Sequence, residues 1–115
     1  MERDLQSLLD MLQSARIVMT YIAGRTPNEL ATDLQFQDAV IRRLLIIGEA
    51  SRRVSEETRQ TLPTIPWSAV NGMRNRLVHE YDEIDLDIVW DTAVNSLLSL
   101  VSELEKVVPP DETNN

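Results

Sequence analysis

Apolar residues recur at steps of three and four from the start of the chain. Leu5, Leu8, Leu9, Leu12, Ala15, Met19 and Ile22 make one stripe, which predicts an amphipathic helix over 4–23, stopped at Gly24. Thr26, Pro27 and Glu29 then have the spacing of a capping box with proline at the first helical position, so a short helix is expected, ending near Thr32 or Asp33. A long helix follows over 34–54 on the stripe Phe36, Ala39, Val40, Leu44, Ile47, Ala50 and Val54. Leu45 and Ile46 widen its apolar surface beyond one stripe, which marks it as the central helix. Gly48 inside it costs about 1 kcal/mol in helix propensity, a cost that close approach of a neighbouring helix or backbone would offset. Ser55 can cap a one- or two-turn helix to Leu62, although Thr58 stands where a capping box needs Glu or Gln. Pro63 and Pro66 bracket an extended turn, and Trp67 opens a helix expected to run to about Tyr81. Asp85 is placed to cap a last helix with Ile88, Val89, Ala93, Val94, Leu97, Leu98, Val101, Leu104 and Val107 on its apolar side, ended by Pro109-Pro110. No strand alternation or repeat interrupts the pattern. The expectation is one all-α helical domain over 1–108 and a disordered polar tail over 109–115.

Composition narrows the class. At 115 residues, 43% hydrophobic and 26% charged, the chain is long enough for one core without a staple. It has no cysteine, which removes disulfides, thiolate nucleophiles and cysteine-based zinc sites and fits a reducing compartment. No apolar run is long enough for a membrane span and the first residues do not resemble a signal peptide, so a cytoplasmic protein is expected. The net charge of −8 argues against a general nucleic-acid coat. The distribution of charge leaves room for a local basic surface. Of eleven basic residues seven fall between Arg42 and Arg76, and six acidic residues then crowd into Glu80 to Asp91.

The chemistry is concentrated in Arg74-Asn75-Arg76-Leu77-Val78-His79-Glu80-Tyr81. His79 is the sole histidine and the residue best suited to proton transfer near neutral pH. Asn75 precedes it by four residues and shares its side of a helix, where an amide could fix the imidazole tautomer. Arg74 lies about 140° away around an ideal helix, so it does not converge with His79 on one straight helix. The helix deforms, the long side chains compensate, or a second chain supplies part of the site. Tyr81, seven residues after Arg74, would share its stripe. The plain alternative for His79 is an interaction with the last helix carbonyls and the dipole.

Arg74-Asn75-x-x-x-His79-x-Tyr81 resembles the Arg-x4-6-His signature of HEPN domains, in the Arg-x4-His-x-Tyr form of the HepT-like toxins. Asp38-Ala39-Val40-Ile41-Arg42-Arg43, Ile47-Gly48-Glu49-Ala50, Ile65-Pro66-Trp67, Gly72-Met73 and Val89-Trp90 resemble further landmarks of that family, over most of the chain. The resemblance implies a four- to five-helix bundle that forms a homodimer with two motif helices facing across a two-fold axis. It implies metal-independent endonuclease action on RNA without cofactors, with Arg74 and His79 catalytic and Asn75 supporting. Arg76 becomes a candidate phosphate contact. It also implies a small nucleotidyltransferase of the MNT type as antitoxin partner, which transfers AMP to Tyr81 and silences the toxin. Glu49 is expected to play a structural role in apolar surroundings, paired with an arginine or a backbone group. Trp67 and Trp90 are expected in core or dimer contacts, and Gly48 and Gly72 at packing positions. The competing reading is a non-catalytic helical partner or protein substrate of the nucleotidyltransferase, which the acidic net charge favours; a purely structural bundle leaves the motif unexplained.

Overall fold

The computed structural model describes residues 2–109, apart from the side chains of Glu2 and Tyr81. Helix α1 spans Glu2–Ile22, α2 Pro27–Thr32, α3 Leu34–Arg53, α4 Glu56–Thr61 and α5 Trp67–His79. A single 3-10 turn, Tyr81–Glu83, leads to α6 (Leu86–Asp91), which a π turn over Thr92–Ser96 joins without a break to α7 (Leu97–Val107). Four long helical rods, two of them the antiparallel pair α1 and α3, make an all-α bundle, with α2 and α4 as short connectors. Residues 110–115, most of the expected tail, lie outside the described residues.

The predicted boundaries rest on visible chemistry. Thr26 Oγ1 accepts from Glu29 N while Glu29 Oε1 accepts from Thr26 N, which is the expected reciprocal box. Asp33 caps α3 through Phe36 N, Ser55 caps α4 through Thr58 N, and Asp85 caps α6 through Asp87 N and Ile88 N. Gly24, at φ +74°, takes the left-handed conformation that ends α1. The core joins Leu8, Met11 and Val18 of α1, Val40, Leu44 and Ile47 of α3, and Leu97, Leu100 and Leu104 of α7, all almost fully buried. Helix α3 packs against α1, α2 and α5, the central place its wide apolar surface predicts. None of the described helices is long and apolar enough to cross a membrane.

Two departures have physical causes. The last helix is not uniform, because Val89, Ala93 and Leu97 repeat at steps of four, and each such step drifts about 40° around an ideal helix. The wider π turn absorbs the drift and keeps all three buried, at 1%, 2% and 3% exposure. Ile88 and Leu98, expected on the apolar side, are instead exposed. The second departure is that α5 stops at His79 rather than Tyr81. Glu80 takes φ −124°, ψ 27° there. Arg76 and His79 suit the negative end of the helix dipole, while Glu80, Asp82 and Glu83 oppose it, so extension is disfavoured. The Tyr81 backbone therefore opens the 3-10 turn instead of continuing α5.

A buried network absent from the periodicity pins the start of α1. The Asp4 carboxylate, 5% exposed, accepts from Ser55 N at 3.1 Å, from Ser55 Oγ at 2.7 Å and from the Thr58 hydroxyl. The Thr58 and Ser55 hydrogen bonds, in that order, lower its pKa to about 2 despite burial.

Candidate active site

Helix α5 carries its motif on the edge of the bundle. Of its residues only Leu77 is fully buried, while Ala69, Gly72, Asn75, Arg76, Val78 and His79 face solvent. Arg74 departs from that pattern. Its side chain is only 16% exposed and lies across α3, where its Nε donates to Glu49 Oε1 at 2.9 Å.

Gly48 makes this approach possible. A Cβ added to Gly48 would collide with Arg74 Cβ and stand 2.7 Å from Arg74 Cγ, so the glycine is the notch in which the arginine stem rests. Gly48 thus packs as expected, and Gly72, with nothing within 4 Å of an added Cβ, does not. Glu49 does pair with an arginine, but on a half-exposed edge, its side chain 45% exposed, and not in apolar surroundings. The Arg74 bond first, with further attraction from Arg74, Arg52 and Arg53, holds its carboxyl below the usual glutamate range.

Arg74 Nη1 also donates to Asn75 Oδ1, at 3.0 Å. The amide is thereby engaged with the guanidinium, and among the described residues nothing hydrogen-bonds the exposed imidazole of His79. On the helix surface Asn75 projects about 100° from Arg74 and only about 40° from His79. The amide therefore stands between the two, on the flank that leads from guanidinium to imidazole. Long side chains thus span part of the angular gap that separates Arg74 from His79 in the sequence. Arg76, on the opposite flank, borders two surface clefts of about 330 and 260 Å³, the first walled by Leu44, Ile47, Met73 and Leu97, the second by Glu80 and Ile88. Neither Arg74 nor His79 lines either cleft; Arg74 is largely covered against α3 and His79 is exposed. Trp67 and Trp90 are half-buried against the core, with Trp67 Nε1 donating to Leu62 O at 3.0 Å. The six acidic side chains from Glu80 to Asp91 are all exposed. Among the described residues no group of three or more His, Cys, Asp or Glu is placed to share a metal ion.

Residues 11–107 match the family described as "Ribonuclease HepT-like". The chain belongs to the HepT-like family. Three relatives agree with it in length as well as sequence. "Putative RNase MJ1380" of Methanocaldococcus jannaschii is 36% identical over 107 residues, 92% of this chain and 98% of that protein. "Putative RNase MJ0127" of the same organism is 30% identical over 93% of this chain and 89% of its own length. "Probable ribonuclease HepT" of Thermococcus cleftensis is 31% identical over 87% of this chain and 91% of its own. No solved structure gives a significant match. For a HepT-like chain, the exposed α5 face and the anchored Arg74 are the features with chemical content.

Proposed function

We propose that this HepT-like protein is a metal-independent endoribonuclease toxin that works as a homodimer. The observation that carries the reading is Arg74, a permanent cation held by α3 at the edge of the helix that exposes the lone histidine. A guanidinium fixed along its Nε edge keeps N–H groups free on the terminal nitrogens, the fork that matches phosphate oxygens.

In the proposed reaction a base removes the proton of a ribose 2′-hydroxyl, whose oxygen attacks the adjacent phosphorus. The P–O5′ bond breaks, and an acid delivers a proton to the departing 5′-oxygen, leaving a 2′,3′-cyclic phosphate and a free 5′-hydroxyl. His79 serves as base or acid, and His79 of the second copy takes the other part. Arg74 stabilises the charge that grows on the pentavalent phosphorus oxygens, Asn75 orients the guanidinium, and Arg76 contacts a neighbouring phosphate. The dimer reading is supported by the exposed face of α5, whose small and polar residues Ala69, Gly72, Asn75 and His79 leave room for an equivalent helix. A partner nucleotidyltransferase of the MNT type would silence the toxin by moving AMP to Tyr81, two residues beyond His79. The added phosphate would place bulk and negative charge beside the motif.

The test is cleavage of single-stranded RNA by the purified chain without divalent metal, beside Arg74→Ala and His79→Ala. Loss of one oxyanion-stabilising donor should cost on the order of 10²–10³-fold in rate. Mixing the two variants should not restore activity, because a mixed dimer keeps only one of the two His79 imidazoles that the reaction uses. Equal cleavage by wild type and both variants refutes the assignment. RNA-inert wild type that is still labelled with AMP supports the other reading, a non-catalytic substrate of the nucleotidyltransferase, which the exposed acidic strip after His79 favours. Tyr81→Phe should abolish AMP incorporation, and labelling that persists elsewhere refutes the acceptor assignment.

A further inference from the structure

We propose that Glu49 is a positioning residue for the reaction, holding the Arg74 guanidinium from α3 in the orientation that receives the scissile phosphate. This deepens the ribonuclease reading and rests on it.

The hydrogen bonds account for the direction. An arginine guanidinium has five N–H donors. Glu49 takes the one on Nε and Asn75 takes one on Nη1, which leaves three, all on the two terminal nitrogens. One of the Nη2 hydrogens shares the Nε edge with Glu49, and the other two point away from the α3 anchor, where a phosphate would meet them. Without Glu49 the long side chain would sample many rotamers, and its terminal nitrogens would no longer share one direction.

Stability does not explain the arrangement. Glu49 is 45% exposed, and ion pairs with so wet a partner contribute little to folding. Yet the neighbouring residue is a buried glycine in mid-helix, an expensive residue there, and the space it leaves is filled by the Arg74 stem. A notch and an anchor in consecutive positions, both serving one side chain of the motif helix, fit the placement of a functional group. The Arg74 hydrogen bond chiefly, with Arg52 and Arg53 one turn further along α3, holds the Glu49 carboxyl below the usual glutamate range.

Glu49→Ala and Glu49→Gln, each made in wild type and in the Arg74→Ala background, test the proposal by RNA cleavage with kcat and KM separated. Misplacing a group by about 1 Å can cost 10²-fold, so Glu49→Ala should lower kcat by about 10- to 100-fold and leave KM nearly unchanged. Glutamine keeps the carbonyl oxygen that accepts from Nε, so Glu49→Gln should retain most of the activity. With Arg74 already gone, Glu49→Ala should cost nothing further, because the two act as one unit. Full activity of Glu49→Ala, a glutamine variant as impaired as the alanine one, or an equal loss in the Arg74→Ala background each overturns the proposal. A wild type that does not cleave RNA removes the ribonuclease reading with it; an active wild type beside an unaffected Glu49→Ala removes this proposal alone.

Discussion

Gly48→Ala is the most informative single perturbation of this fold, because two rules of helix chemistry predict opposite signs for it. Considered as an isolated helix, α3 should gain about 1 kcal/mol from replacing an interior glycine by alanine. The packing predicts a loss. The new methyl would overlap Arg74 Cβ and lie 2.7 Å from its Cγ, with Arg74 Cα at 3.4 Å. Ordinary carbon contacts are about 3.5–4.0 Å, so the gap must open by roughly 1 Å. A Cβ is fixed by its own backbone, so no rotamer of Arg74 relieves the overlap and α5 itself must retreat. Overpacking of this kind costs about 1–3 kcal/mol, which leaves a net change from near zero to a loss of about 2 kcal/mol. Gly72→Ala is the control within the motif helix. Its added methyl meets nothing, so it should stabilise by about 0.5–1 kcal/mol. Urea unfolding followed by helical circular dichroism measures both. The same retreat carries the guanidinium away from its place, so RNA cleavage by Gly48→Ala should fall by about 10²-fold. A Gly48→Ala protein as stabilised as Gly72→Ala, with full activity, would show that α3 and α5 are not in the contact described.

Two further predictions concern the frame. Asp4 has a folded pKa of about 2 against an ordinary value of 3.8, so its contribution to stability is fully present above pH 3.8 and is lost as pH falls toward 2. Melting temperatures from pH 5 to pH 2 should therefore drop in wild type and drop less in Asp4→Asn, which starts lower at neutral pH; parallel curves would exclude the network as the acid-labile element. Leu77→Ala, the loss of the one fully buried side chain of α5, should cost about 2–5 kcal/mol in denaturant unfolding, and a cost below about 1 kcal/mol would mean that α5 docks elsewhere.

Helix order is legible in the sequence because caps and periods are local signals. Thr26, Asp33, Ser55 and Asp85 sit within four residues of the amides they cap, so spacing alone finds them. The π turn has no comparable signal, although the four-residue steps Val89, Ala93 and Leu97 carry its trace. The Asp4 network joins residues 51 and 54 positions apart, and no local pattern can report such a pair. At the site, the sequence isolates Arg74 and His79 but also shows them diverging on a helix. What it lacks is the third dimension supplied by α3, where Gly48 and Glu49 decide where the arginine goes. The pairing of Glu49 with an arginine is foreseeable; which arginine, and with what exposure, requires the packing of two helices.

The near-absence of core residues in α5 separates this protein's chemistry from its architecture. A helix that contributes one fully buried leucine, with Trp67, Val70 and Met73 partly buried beside it, behaves as a tool rail bolted to a chassis built by α1, α3 and α7. Most of its positions can change identity without unseating the rest, so new target preferences can be sampled on the rail while the chassis stays the same.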